Sequence, residues 1–343
     1  MVRAASAAVS LRASDPERSA SRFAADVAFY LNQTPRQLPS RYLYDALGSS
    51  LFDAICHLPW YRITRAETGM LARHGSDILA AVHPLARIVE LGSGNGEKLA
   101  VLLETRRRTR TPLQVHLVDL SRAALETAAH AVGAFPGVTV VAHHATYEDG
   151  LDAAVRSAQT GSQGAGSPKR VARRRTLALF LGSNIGNFDP PAAEALLRQV
   201  AASLAPADAF LLGADLVKPE RDLLLAYDDP LGVTAAFNMN LLVRINRELG
   251  ADFDIGSFRH RAVWNAARSR VEMHLVSLRP QRVRVPAAGV DLTLRAGETI
   301  WTESSYKYRA PEVLRTLERC GFRRRVQWVD DDARFAVTLV DRA

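Results

Sequence analysis

Ala86-Arg87-Ile88-Val89-Glu90-Leu91-Gly92-Ser93-Gly94-Asn95-Gly96-Glu97-Lys98 is an apolar run that closes on an acid and a cluster of glycines. A short apolar run ending in glycines has the form of a buried parallel strand entering a turn. Glycine lets the backbone turn sharply there and approach a ligand without a Cβ in the way. Outward from this point the chain alternates. GEKLAVLLETRRR reads as a helix, LQVHLVDLS as a strand, RAALETAAHAV as a helix and VTVVAHHA as a third strand. TLALFLGSNIGNF is a strand and loop, PAAEALLRQVAASLA a helix, and DAFLLGADL another strand. That rhythm predicts a doubly wound parallel sheet, an α/β fold.

Upstream, residues 20–58 read as helical and residues 62–82 carry helical apolar spacing. From about 217 to 300 the rhythm breaks. A helix is expected over PERDLLLAYDDPLGVTAAFNMNLLVRINREL, then segments alternating at strand period, among them SRVEMHLVSLRP and QRVRVPAAGVDLTLRAG. The end returns to a helix, APEVLRTLERCGF, and two strand-like runs, RRVQWVDD and RFAVTLVDR. The expected organisation is a Rossmann-like domain at 66–216 and 307–343, with a smaller α+β domain from 20–65 and 217–306. The Gly-, Ser- and Arg-rich stretch 158–175 is expected to be a flexible surface loop.

Composition sets bounds. The chain has 343 residues, 48% hydrophobic and 23% charged, the balance of an ordinary globular protein. No uninterrupted apolar stretch approaches the ~18 residues of a membrane span. The N-terminus lacks the apolar core of a signal peptide, and Cys56 and Cys320 form no metal or redox spacing, so a cytoplasmic protein without a metal site is expected. The net charge of +8 sits largely in three runs, Arg106–Arg110, Lys169–Arg175 and Arg323–Arg325. They are expected to be solvated loops and helix ends, and no nucleic-acid motif accompanies them.

The turn after the first strand serves many nucleotides. Asp119, ending the second, narrows the choice, because a carboxylate there can accept both hydroxyls of an adenosine ribose. No Lys-Ser/Thr pair follows the glycines, which disfavours a nucleoside triphosphate. On these residues alone S-adenosylmethionine and NAD both remain open.

Five stretches then resemble the histidine Nα-methyltransferases of ergothioneine biosynthesis: YLYDALGSSLFDAICHLPWYRITRAE (42–67), VELGSGNGEK (89–98), LFLGSNIGNF (179–188), AYDDPLGVTAAFNMNLLVRINRELGADFD (226–254) and TESSYKY (302–308). They occur in the family's order through nearly the whole chain. The YD-x-x-GS, GS-x-IGN and AYDD...GVTAAFN-x-N strings are far more specific than the glycine turn. The resemblance implies a methyltransferase sheet with a substrate domain, S-adenosyl-L-methionine as cofactor and free L-histidine as substrate. It places Tyr61, Gly92, Gly94, Lys98 and Asp119 at the cofactor, with Tyr147 offering an apolar face to the adenine. Tyr44, Asn187 and Tyr227 would clamp the backbone amine and carboxylate of the amino acid, Tyr44 and Asn187 acting at the reacting amine. Glu303 and Ser305 would grip the imidazole, with Phe52 and Met273 shaping its pocket. The sequence departs from the family where GSGNGEK stands for GSGTSxK, where Asn184 replaces a threonine, and where Thr146 replaces the acid at the adenine.

The chemistry is consistent with these residue types. Methyl transfer from a sulfonium is an in-line displacement, so orientation of a neutral amine carries most of the acceleration. Glu303 and Ser305 are two apart on a strand-like segment and share a face, where a carboxylate and a hydroxyl can satisfy the N–H and the bare nitrogen of a neutral imidazole. Another amino acid or small amine as substrate is the alternative within the fold. A non-catalytic nucleic-acid-binding module is the alternative from another class. The chain is expected to act as a monomer on a small molecule, with no nucleic-acid or membrane partner.

Overall fold

The computed structural model describes residues 16–160 and 174–343. Helices α1 (Pro16–Leu31), α2 (Ala46–His57) and α3 (Arg62–Ala81) open the chain. The helical reading of 20–58 is therefore interrupted. Pro35 and Pro39 fall in the gap, and Asp45 restarts the helix by accepting the Gly48 N–H at 2.8 Å.

Five strands then alternate with helices: β1 (Leu85–Leu91), α4 (Glu97–Glu104), β2 (Leu113–Asp119), α5 (Arg122–Gly133), β3 (Val138–His144), α6 (Tyr147–Thr160), β4 (Arg175–Phe180), α7 (Pro190–Ser203) and β5 (Ala209–Asp215). The loop expected at 158–175 thus overlaps the end of α6 and the start of β4, and its residues 161–173 lie outside the described residues, as does the leader at 1–15. Next come α8 (Glu220–Tyr227), α9 (Val233–Leu249), β6 (Phe258–Asn265), β7 (Arg270–Ser277), β8 (Gln281–Val285), β9 (Val290–Leu294), β10 (Thr299–Tyr306), α10 (Ala310–Arg319), β11 (Phe322–Asp330) and β12 (Phe335–Arg342). The single helix expected over 219–249 is two, because the Asp229 carboxylate accepts the N–H groups of Leu231, Val233 and Thr234 and Gly232 turns at φ +75°.

The main sheet has seven strands in the order β11-β12-β5-β4-β1-β2-β3. β1 to β5 run parallel, and β12 enters antiparallel between β5 and β11. Successive residues face opposite sides, so Ile88 and Leu179 join one core and Val89 and Phe180 the other. Burial on both faces explains the continuous apolar runs. The Arg323–Arg325 run lies in the edge strand β11, not in a loop or helix end, and Arg325 pairs with Asp341 at 3.1 Å. A smaller sheet, β10-β7-β6, and the hairpin β8-β9 carry the rest. Because β4 lies beside β1 after the chain has gone out to β3, the strand order reverses between them, and a crevice opens at their carboxyl ends.

Candidate active site

The two loops leaving β1 and β4 meet at this crevice. Gly92 has φ +74°, and a Cβ on it would lie 2.5 Å from Asn184 Nδ2 and 3.2 Å from the Tyr147 hydroxyl. Only glycine allows both the turn and the approach. Gly94 also has positive φ, +51°, but a Cβ there would meet nothing within 4 Å, so that part of the turn faces open space. Asp119, at the end of β2, accepts the Gly94 N–H at 2.9 Å and the Ser121 N–H at 2.8 Å. Burial raises its pKa and these backbone donors oppose the rise. The Tyr147 ring packs edge-on to Phe180 at 5.1 Å, forming a wall of the crevice.

Lys98, on α4, is tied inward. Its Nζ lies 2.7 Å from Oε2 of the fully buried Glu67, which also accepts the Gly182 N–H at 2.7 Å. Glu90 is buried beside this pair, and burial pushes its carboxyl up to about 8, opposed by Lys98. Ser93 Oγ and Glu90 Oε2 are buried and have no hydrogen-bond partner among the described residues. Orphaned polar atoms, an open glycine turn and a strand-end carboxylate suit a polar nucleoside carrying an amino-acid tail, such as S-adenosylmethionine.

A second loop feature binds the two sheets together. Ser183 takes a left-handed φ of 58°, and its Oγ accepts the Asp215 N–H at 2.9 Å. A Cβ on Gly186 would sit 2.8 Å from the Tyr306 carbonyl oxygen, so this loop lies flush on the end of β10. Asn187 is thereby carried to the mouth of a cavity lined by Tyr44, Phe52, Tyr61, Tyr227, Met273, Glu303 and Ser305, with Gly182, Ser183 and Asn184 on its crevice side. All seven residues expected at the substrate are together here. Tyr61 joins them, its ring 6.2 Å from that of Tyr227, whereas Gly92, Gly94, Lys98, Asp119 and Tyr147 surround the neighbouring crevice.

The cavity walls combine aromatic and apolar side chains with polar ones. The Tyr44 ring meets Phe52 and Phe237 edge-on, each at 5.5 Å, and enclosure with Glu303 nearby holds its hydroxyl well above the usual tyrosine range. Met273 stands opposite Glu303 in the β7–β10 register. The Glu303 carboxylate makes no hydrogen bond to a described residue; burial pushes it up to about 7, with Lys307 opposing. The Tyr227 hydroxyl lies 2.8 Å from Ser305 Oγ.

Sequence reasoning passed over Lys307, Asp215 and Glu67. Lys307 had a signal, because residues 303 and 305 share one face of β10 and 307, just past its end, continues the period of two. Asp215 and Glu67 had none, since their contacts come from distant parts of the chain. Among the described residues no group of three or more His, Cys, Asp or Glu could hold a metal ion, and no helix is long and apolar enough to cross a membrane.

Sheet, glycine turn, strand-end acid and adjoining cavity suit an S-adenosylmethionine-dependent methyltransferase, and the family comparison makes the chain one. The model of the histidine-specific, S-adenosylmethionine-dependent methyltransferases matches residues 23–342, and the chain belongs to that family. It is 39% identical over 318 residues to a histidine N-alpha-methyltransferase of Mycolicibacterium smegmatis, covering 92% of this chain and 94% of that one. It is 38% identical to the histidine N-alpha-methyltransferase of Mycobacterium tuberculosis, over 92% of this chain and 93% of that one. The ergothioneine biosynthesis protein 1 of Neurospora crassa is 29% identical over 86% of this chain, which spans 32% of that longer protein.

Proposed function

We propose that the protein methylates the α-amino nitrogen of free L-histidine three times, giving hercynine for ergothioneine biosynthesis. The observation that carries this reading is the shared placement of Glu303 and Ser305 on one face of β10, in a cavity that also holds Tyr44 and Asn187. A carboxylate without a protein partner beside a hydroxyl suits a ring with one N–H and one bare nitrogen. Without that ring the buried carboxylate would stay unpaired, at a cost of about 1–3 kcal/mol or more.

The cofactor, when bound, supplies an electrophilic methyl group on a sulfonium. Its ribose is assigned to Asp119, its adenine face to Tyr147, and the close backbone approach to Gly92 and Gly94, with Lys98 held ready by Glu67. Tyr44 and Asn187 orient the amine, and Tyr227 holds the carboxylate. An α-amino group has a pKa of roughly 8, so a useful fraction is neutral near pH 7 and no strong base is needed. Each transfer would form one N–C bond as one S–C bond breaks, with S-adenosylhomocysteine leaving, and the nitrogen loses one proton before each methylation, three in all from the ammonium form. Phe52 and Met273, the latter opposite Glu303, shape the pocket for the imidazole ring.

The division of labour between 66–216 with 307–343 and 20–65 with 217–306 is part of this proposal, as are a monomeric state, a cytoplasmic setting and the absence of a nucleic-acid partner. The test is incubation with S-adenosylmethionine and each of the twenty amino acids, read by mass spectrometry. Histidine alone should gain three methyl groups. Methylation of a different amino acid would overturn the imidazole grip while keeping the mechanism, and no product with any would overturn the reading.

A further inference from the structure

Lys307 lies behind two of the cavity's lining residues, Tyr227 and Ser305, with its side chain fully buried. Its Nζ is 2.7 Å from the Tyr227 hydroxyl, 2.7 Å from Ser305 Oγ and 3.0 Å from Asp215 Oδ2. An ammonium has three N–H donors and no acceptor, so three oxygen neighbours use it completely. Both hydroxyl oxygens must therefore accept from Lys307, and neither hydroxyl proton can point back at it. The two hydroxyls also face each other at 2.8 Å, where one proton can be shared. At least one hydroxyl proton is left for the cavity. When ligand atoms displace the mutual bond, both protons face the ligand while each oxygen still accepts from Lys307.

We propose that Lys307 is a positioning residue that makes Tyr227 and Ser305 donors toward the substrate, so that the site binds histidine with a neutral imidazole ring. The inference rests on the assignment of the ring to Glu303 and Ser305. With the Tyr227–Ser305 bond displaced, an imidazolium, which carries N–H at both ring nitrogens, would set one of them against the Ser305 proton; it would be accepted only if Ser305 donated to Tyr227 and turned its second lone pair to the ring. A neutral ring gives its N–H to Glu303 and its bare nitrogen to Ser305. The charged and titratable groups around the pair are Asp215 from β5, Lys218 beyond it, Tyr227 from α8, Tyr44 and Tyr61 from the N-terminal segments, and Glu303 on the same strand. Lys218 pairs with Asp215 at 2.6 Å, so Asp215 is balanced by two lysines and Lys307 keeps its charge. Burial opposes that charge, but Tyr227 and Asp215 outweigh it and hold the Lys307 pKa above the usual lysine range.

The experiment binds L-histidine labelled with 15N at both ring nitrogens to the intact protein with S-adenosylhomocysteine at pH 6, where a large fraction of free histidine rings is protonated. The wild type should give two well-separated ring-nitrogen resonances, one protonated and one bare. Two similar protonated resonances would overturn the proposal while leaving the histidine reading in place. Failure of histidine to bind at all would overturn both, and the mass-spectrometric assay then separates a wrong substrate from a wrong class. Lys307→Met should keep cofactor affinity within about twofold, lose tenfold or more in histidine affinity, and shift the bound ring toward the imidazolium pattern. Unchanged affinity and an unchanged neutral pattern in that variant would sink the role of Lys307. If the variant loses cofactor binding through misfolding, the wild-type spectrum and that of Ser305→Ala, which should lose the bare-nitrogen preference, decide the matter.

Discussion

The Asp45 carboxylate accepts a hydrogen bond from the Asn240 side-chain amide at 2.7 Å, joining segments 195 residues apart. Asp45 also accepts the Gly48 N–H at 2.8 Å and pairs with Arg247 at 2.7 Å. Gly48 is packed so closely that a Cβ would lie 1.7 Å from the Leu43 carbonyl oxygen. The YD-x-x-GS and FN-x-N strings are thus two halves of one clasp. It bears on the site because Tyr44 precedes Asp45, and Phe237, three residues before Asn240, packs on the Tyr44 ring.

Asp45→Ala should remove a helix cap and a charged acceptor together, lowering unfolding free energy by about 2 kcal/mol. The clasp positions Tyr44, so the Michaelis constant for histidine should rise several-fold while cofactor affinity stays near normal. Denaturant unfolding and steady-state kinetics check this. Equal losses of histidine and cofactor binding would mean the clasp holds the whole fold rather than the site.

Glu303→Ala should lose roughly ten- to a hundredfold in kcat/KM for histidine and keep S-adenosylmethionine affinity within about twofold. A charge-assisted hydrogen bond of roughly 1.5–3 kcal/mol corresponds to a loss of that order. An unchanged kcat/KM for histidine would remove Glu303 from the imidazole. Loss of cofactor affinity would place it structurally.

The parallel half of the fold was legible because its signals are local. A buried strand declares itself as a run such as RIVEL, and the turn after it needs glycine whatever lies elsewhere. The order of the last strands was not legible. RFAVTLVDR reads as a strand, but its place between β5 and β11 depends on pairing with Ala209–Asp215 far away in sequence. The break at 228–232 was written in DDPLG, and apolar spacing on either side masked it. Strand β6, FRHRAVWN, was passed over because its arginines and histidine blur the alternation. For the site, the family strings located the cavity-lining residues other than Met273, which lies outside all five. Lys307, inside one of those strings, went unassigned because a lysine on a buried strand face only makes sense once Asp215 is seen beneath it.

Asp119→Ala should weaken S-adenosylmethionine binding by about a hundredfold or more in calorimetry, the loss expected when several hydrogen bonds to a charged acceptor go together. The carboxylate does two jobs: it anchors the Gly94 and Ser121 N–H groups and is assigned the ribose hydroxyls. Asp119→Asn separates them, because its amide oxygen can still accept from one N–H but the charge-assisted bonds to the ribose are gone. The asparagine variant should keep wild-type thermal stability within a few degrees and still bind poorly. Near-normal binding by either variant would move the ribose contact elsewhere.

Glu90→Gln should stabilise the cofactor-free protein at alkaline pH and do little in acid. Burial holds the Glu90 carboxyl at about 8, well above the roughly 4.3 of an exposed glutamate in the unfolded chain. Between those values the folded state carries a proton that the unfolded state has lost, so this group makes stability fall as pH rises. Above about 8 both states are ionised and the penalty is constant at its full size. A glutamine side chain at this position would mimic the protonated acid in shape and hydrogen bonding but would not titrate. The stability difference between variant and wild type should therefore be small at pH 5, grow through neutrality, and reach a few kcal/mol at about pH 9 in urea unfolding. A difference that stays constant from about pH 5 to pH 9 would mean that Lys98 keeps Glu90 ionised throughout. The buried charges at this end of β1 would then be a Lys98 ammonium facing two carboxylates, Glu67 and Glu90.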